Sequence, residues 1–383
     1  MTAALAAVLV ATAAITDTPA VLPDDLSRQA ASMLLVGAPG DEAVPGGPFE
    51  ELVCGLKVGG LILFDRDTGG RGEPRNIRSR AQLAKLTRDL QALARRCGDA
   101  PLLLAADVEG GVVNRLAPLE GLGTVPSAAE LGRGAPERTK AVAKRLGRAM
   151  ALAGLNWDLA PVVDVNINPD SPAIGHWKRS FSDEPAVVAR HARAFADGLY
   201  EEGVLSCLKH FPGHGSSKAD THRGAADVTD TAKPDLELAP YRLLIKEDMA
   251  DCVMLGHLYN ENLDDQDVVT FSSPVVTGLL RSDLGYDGIV LTDDLQMGAV
   301  AAEYPLEEAA VRAVAAGADI LTLSNSQRDA SAAKRVHAAL MAAIRSGRIP
   351  KRRVVEANVR IKRFKNRLPG VDRGGVDLPE EEP

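Results

Sequence analysis

The sequence predicts a single (β/α)8 barrel of the α/β class, with its active site on the rim formed by the C-terminal ends of the strands. Two observations carry this expectation. Short, apolar, β-rich runs alternate with helical stretches from residue 30 to about 350, the pattern of a parallel sheet covered on both faces. Eight such units suit a closed barrel better than an open doubly wound sheet. The runs also finish on side chains that carry chemistry, namely Asp65, Asp107, Asp164, His210, His257, Asp293 and Ser324. A barrel gathers those ends on one rim, whereas an open sheet would spread them along an edge.

In chain order the expected strands are SMLLVGA (32–38), GGLILFD (59–65), PLLLAAD (101–107), NWDLAPVVDV (156–165), VLSCLKHF (204–211), CVMLGHL (252–258), GIVLTDD (288–294) and ADILTLS (318–324). Helical periodicity covers 80–96, 137–154, 184–203 and 306–317, and several of these stretches end at a glycine, which stops a helix in the left-handed conformation. Residues 23–366 are expected to form the barrel domain. Residues 1–22 contain an apolar stretch of export-signal length, but no Lys or Arg precedes it, so the alternative is a frayed Ala-rich N-terminus. The Pro-, Gly- and acid-rich tail at 367–383 is expected to be disordered.

Of the 383 residues, 45% are hydrophobic and 25% charged, enough for a large core. A net charge of −8 gives no basic footprint for nucleic acid or anionic lipid, so a glycan or another small molecule is the expected partner of a monomeric protein. No later segment approaches the length of a stable membrane span. A secreted or cell-envelope location follows from the leader reading, a cytoplasmic one from its alternative. Cys207 and Cys252 sit in apolar runs and read as buried free thiols. Cys54 and Cys97 lie near the ends of helices flanking one strand, and an exported protein could join them.

The run KHFPGHGSSKADTH (209–222) concentrates protonatable groups. As a metal site it would draw on His210 together with His257 and Asp293, but Pro212 and Gly213 break any helix between His210 and His214, and no H-x-H pair occurs on the first strand. As a phosphate cradle it lacks GxxxxGK[ST] and GxGxxG. As a strand end and loop it presents Lys209 and His210 as donors to substrate oxygens. Asp220 and His222 follow, a carboxylate two residues from an imidazole that it can orient and make more basic for acid and base work near neutral pH. In LTDDL (291–295), Asp293 and Asp294 cannot both face the pocket from an extended strand; one is expected inward and the other capping a short helix near Leu295. Periodicity leaves the choice open. Asp107 and Arg115, in AADVEGGVVNRL (105–116), either bind sugar hydroxyls or pair with each other, and Arg179 is either a substrate donor or a rim ion-pair partner.

Taken together, KHFPGHG with the D-T-H at 220–222, LTDDL, AADVEGG (105–111), APVVDV (160–165) and KRSFSDEP (178–185) resemble the family 3 glycoside hydrolases, in order and spacing, from about 26 to 365. The resemblance is to the bacterial β-N-acetylhexosaminidase (β-N-acetylglucosaminidase) branch, and it implies a (β/α)8 barrel and hydrolysis of terminal β-linked N-acetylglucosamine from peptidoglycan fragments. It implies Asp293 as nucleophile, His222 as acid/base with Asp220 as its partner, and Asp107, Arg115, Arg179, Lys209 and His210 as sugar-binding residues, with no metal or organic cofactor. The sequence departs from the family pattern at Val112, where an Arg is usual, and before Arg179, where the loop is longer by a residue or two. Attack by the substrate's own acetamido oxygen, phosphate in place of water, a metal-dependent hydrolase on the same barrel and a catalytically dead glycan-binding protein are the alternatives.

Overall fold

The computed structural model describes residues 23–369 apart from 68–71, 99–100, 222–223, 225 and 326–327. The expected export segment and most of the expected disordered tail lie outside the described residues, as does His222.

All the expected strands form, and they build one eight-stranded parallel sheet. They are β1 (Leu34–Val36), β2 (Gly60–Ile62), β3 (Leu103–Ala106), β4 (Trp157–Asp158), β5 (Leu208–Phe211), β6 (Cys252–Leu255), β7 (Ile289–Asp294) and β8 (Ile320–Leu323). The order across the sheet is β4-β3-β2-β1-β8-β7-β6-β5. Parallel bridges Trp157↔Leu205 and Val162↔Lys209 join the two outermost strand regions. Asp158 N–H donates to Leu205 O and Val163 N–H to Lys209 O, both at 2.8 Å. The sheet is therefore curled, in a TIM-barrel-like α/β fold. Its strands are apolar along their length because both faces are covered: all four residues of Leu103–Ala106 and of Ile320–Leu323 are buried.

The helices begin and end as local chemistry directs. Arg80–Cys97 starts behind Ser79, whose hydroxyl accepts the Gln82 N–H, and stops at Gly98, which takes φ 81°. Pro136–Leu152 and Pro185–Tyr200 each carry proline in the first turn, where its missing N–H costs nothing. The connections β1 to β2 and β6 to β7 run through π-helical turns at Glu51–Leu56 and Pro274–Asp283. No helix among the described residues is long and apolar enough to cross a membrane.

Cys54 and Cys97 form a disulfide, with Cα atoms 5.3 Å apart. The expectation for Cys207 and Cys252 is corrected: they are also disulfide-bonded, with Cα atoms 4.4 Å apart. The cause is register. Leu208 on β5 pairs with Val253 on β6, which sets the preceding residues, Cys207 and Cys252, side by side. Hydrophobic patterning within either run carries no information about that alignment.

Candidate active site

Two carboxylates leave the end of β3 on the same side of the chain, because Asp107 and Glu109 are two residues apart in extended backbone. Both meet Lys209 from β5. The ammonium lies 2.8 Å from Asp107 Oδ1 and 2.7 Å from Glu109 Oε1. Arg179, on the loop after β4, closes on the same Glu109 with a two-pronged contact, Nε to Oε2 at 2.8 Å and Nη2 to Oε1 at 2.7 Å. Its Nη1 donates to the Ala173 carbonyl at 2.9 Å, and Nη2 lies 3.4 Å from His210 Nε2. On the other side of its ring, His210 Nδ1 is 2.7 Å from Asp164 Oδ2. Asp164 Oδ1 in turn accepts the backbone N–H of His214 at 2.7 Å. Asp107, Lys209, Arg179 and His210 are thus brought into one connected patch, with Glu109 and Asp164 as its internal anions.

Electrostatics keep Glu109, Lys209, Arg179 and Asp164 ionised. Burial alone would raise the Glu109 carboxyl, but the charges of Arg179 and Lys209 outweigh it and hold the group far below the usual carboxylate range. Burial would likewise lower Lys209 and Arg179, and the anions Asp107 and Glu109 around Lys209, and Glu109 beside Arg179, push both well above their ordinary values. Asp164 follows the same logic, with burial overcome by His210. His214 goes the other way: burial, then the neighbouring His210, lowers it to about 4, so it is a neutral imidazole at working pH.

Arg115 stands one step from this patch. Its backbone N–H donates to Asp107 O at 3.0 Å, but its guanidinium faces Asp65 at 3.4 Å and lies 5.6 Å from the Phe64 ring centroid. The two residues therefore do not pair through their side chains. Phe64 is also approached by the buried Arg75, at 4.9 Å. Arg179 is ion-paired with Glu109.

At the end of β7 the adjacent acids make different contacts. Asp294 Oδ1 accepts the N–H groups of Ser324, at 3.0 Å, and of Gln296, at 3.2 Å, and burial raises its pKa. Expected as a helix cap, it instead caps the turn at Gln296 and ties β7 to the end of β8; the next helix begins later, at Gly298–Ala301. Asp293 is half-buried, and its Oδ1 accepts the Asp294 N–H at 2.8 Å. His257, at the end of β6, is lowered by burial against the opposing pull of Asp293, and His210 acts on it as well. Asp293 and His210 therefore both act on one imidazole. His257 has both ring nitrogens engaged, Nδ1 with Thr270 Oγ1 at 2.7 Å and Nε2 with the Asp294 carbonyl at 3.0 Å. Among the described residues no group of three or more His, Cys, Asp or Glu is placed to hold a metal ion, the expected alternative set of His210, His257 and Asp293 included.

The loop after β5 is anchored at two points flanking the undescribed His222. Thr221 O accepts the Ala299 N–H at 3.0 Å, and Thr221 Oγ1 lies 3.3 Å from His214 Nε2. Beyond it, Ala226–Asp227 pairs in parallel with Leu258–Tyr259 after β6. Asp220 is half-buried. The loop leaves β5 through Gly213, at φ 143°, where a Cβ would stand 2.6 Å from that of Glu237.

Glu237 is a residue that sequence reasoning missed. It lies buried beneath the loop; Oε2 accepts the Lys233 N–H at 2.8 Å, and burial raises its pKa from 4.5 to about 7 against hydrogen bonds from Lys233 and Ser216. Because the folded state keeps this proton longer than the unfolded chain, its contribution to stability is full below pH 4.5 and declines as pH rises to about 7. Glu237→Gln is expected to remove that decline. Its melting temperature relative to the unmodified protein should rise across the same pH interval; a constant difference would contradict the assignment. Glu109 was also missed, while Asp164, expected on the rim, and His214 were given no role in the network. The signal for Glu109 was its two-residue offset from Asp107, whereas Asp164 and His214 are tied to the site only through contacts distant in sequence.

Comparison with known proteins bears on this geometry. The profile described as Glycosyl hydrolase family 3 N terminal domain matches residues 42–364. The chain is 39% identical over 286 residues to Beta-hexosaminidase LpqI of Mycobacterium tuberculosis, covering 72% of this chain and 71% of that protein. It is 32% identical over 339 residues to Beta-hexosaminidase A of Pseudoalteromonas piscicida, covering 83% of this chain and 55% of that one. Among solved structures, a glycoside hydrolase family 3 beta-N-acetylglucosaminidase from Paenibacillus sp. superposes with a TM-score of 0.83 at 35% identity, over 93% of this chain and 65% of that chain. The latter two proteins thus extend well beyond the part matched here. With the family profile covering most of the sequence, the chain belongs to glycosyl hydrolase family 3 and is a glycoside hydrolase.

Proposed function

We propose that the protein is a retaining β-N-acetylhexosaminidase that removes terminal, non-reducing β-linked N-acetylglucosamine, with peptidoglycan fragments as its source, at the C-terminal rim of a closed barrel. The observation that carries this reading is the hydrogen bond from Ala299 N–H to Thr221 O. It brings the β5 loop, next to the acid/base candidate His222, over the segment that follows Asp293. The names of the relatives support the activity, and the bridges between the β4 and β5 regions support closure.

Asp293 attacks the anomeric carbon while protonated His222, oriented by Asp220, donates to the departing oxygen; a covalent glycosyl-enzyme forms. Neutral His222 then takes a proton from water, which releases the sugar. Lys209, His210 and Arg179 offer N–H donors to the sugar's oxygens, Asp107 accepts from its hydroxyls, and Arg115 contributes from beside Asp65. No step needs a metal or organic cofactor. The two disulfides support a secreted or cell-envelope location, since such bonds persist in oxidising compartments.

The acid role makes a graded prediction. His222→Ala is expected to lower kcat/KM by about 10²- to 10³-fold for substrates whose leaving group needs a proton, and by less than about tenfold for highly activated aryl N-acetylglucosaminides. Equal losses on both would contradict proton donation by His222.

A further inference from the structure

Two large apolar side chains stand in water on the loops that follow β3 and β4. Val112 is 62% exposed and Trp177 is 47% exposed. The two loops are joined. Gly111, beside Val112, packs so closely on Ser127 that a Cβ there would be 2.9 Å from the serine Cβ, and Ala129 N–H donates to Lys178 O at 3.2 Å. Trp177 is braced as well as exposed. His176 meets it edge-on with ring centroids 4.7 Å apart, and the turn beneath is closed by His176 N–H to Ser171 O at 3.0 Å and Lys178 N–H to Gly175 O at 2.9 Å. Two residues further on, Arg179 is clamped to Glu109 in the sugar-binding patch. The ring thus stands half in water on the short arm that supplies a site residue. Such a ring offers a flat apolar surface at little conformational cost.

We infer that Trp177, with Val112 on the adjoining loop, forms a subsite on the leaving-group side that stacks against the apolar face of a pyranose ring. The preferred substrate is then a glycan in which the group released is itself a sugar. This inference rests on the glycosidase reading above, and it assigns work to the two places where the sequence departs from its family: the longer loop before Arg179 and the valine at 112.

The test compares kcat/KM for the β-linked N-acetylglucosamine disaccharide with kcat/KM for N-acetylglucosaminyl fluoride, whose leaving group has no ring to stack. Trp177→Ala is expected to lower the disaccharide-to-fluoride ratio about tenfold, mainly through KM for the disaccharide, and Trp177→Phe to restore most of it. A ratio that moves less than about twofold in Trp177→Ala would overturn the subsite, because a ring that merely props Arg179 harms both substrates alike. Failure of the unmodified protein to cleave either substrate would remove the glycosidase reading and the subsite with it. Cleavage of both without the change in ratio sinks the subsite alone.

Discussion

Asp293→Asn is expected to lower kcat on the order of 10⁴-fold or more on any N-acetylglucosaminide while leaving the melting temperature close to that of the unmodified protein. The expectation follows from the division of labour at the end of β7. Asp294 takes the N–H groups of Ser324 and Gln296 and so holds the strand end together. Asp293 is half-buried and acts electrostatically on His257. Asparagine keeps the size of the side chain and its acceptor for the Asp294 N–H but cannot form a glycosyl ester of comparable lability. Asp294→Ala provides the contrast, since it removes the one oxygen that accepts both N–H groups. There the loss should fall on stability, read by thermal or urea melting, with a smaller effect on rate. Retention of more than a tenth of the activity by Asp293→Asn would remove it from the mechanism.

Glu109→Gln carries the second-largest expected effect. The carboxylate is buried between two cations, with Lys209 at 2.7 Å and the Arg179 fork at 2.7 and 2.8 Å. Leaving buried cations without their anion costs about 3 kcal/mol or more. The glutamine amide also directs N–H groups at the Arg179 guanidinium, so neither cation stays where the sugar needs it. The expected outcome is a loss of about 3 kcal/mol in urea unfolding together with a fall in kcat/KM on the order of 10²-fold, the size of effect that a small misplacement of a binding group produces. Unchanged stability and unchanged kcat/KM would show that the cluster is not what positions Lys209 and Arg179.

The strands were legible because parallel strands covered on both faces must be apolar throughout, and runs such as LLLAA and DILTL read that way without reference to the rest of the chain. A helix end was legible from local sequence at Gly317, which follows the helix Leu306–Ala316 and takes φ 129°. What escaped depends on which strands lie side by side. The Cys207–Cys252 bond is a matter of β5–β6 register. Glu109 becomes central only when β5 delivers Lys209 and the loop after β4 delivers Arg179. Glu237 acquires its raised pKa from burial beneath the loop that leaves β5 at Gly213, a contact distant in sequence. The choice between Asp293 and Asp294 was open in the alternation pattern, and the backbone donors of Ser324 and Gln296 favour Asp294 as the structural member. Motif order therefore named most of the groups that meet the patch, while the groups that hold them there came from tertiary contacts.

The measurement that bears most directly on the account is covalent trapping with 5-fluoro-N-acetylglucosaminyl fluoride, followed by proteolysis and mass spectrometry of the labelled peptide. The account predicts a single adduct on the peptide containing LTDDL, with fragmentation placing the sugar on Asp293. An adduct on Asp294, or turnover of the reagent through the acetamido group with no carboxylate ever labelled, would contradict it.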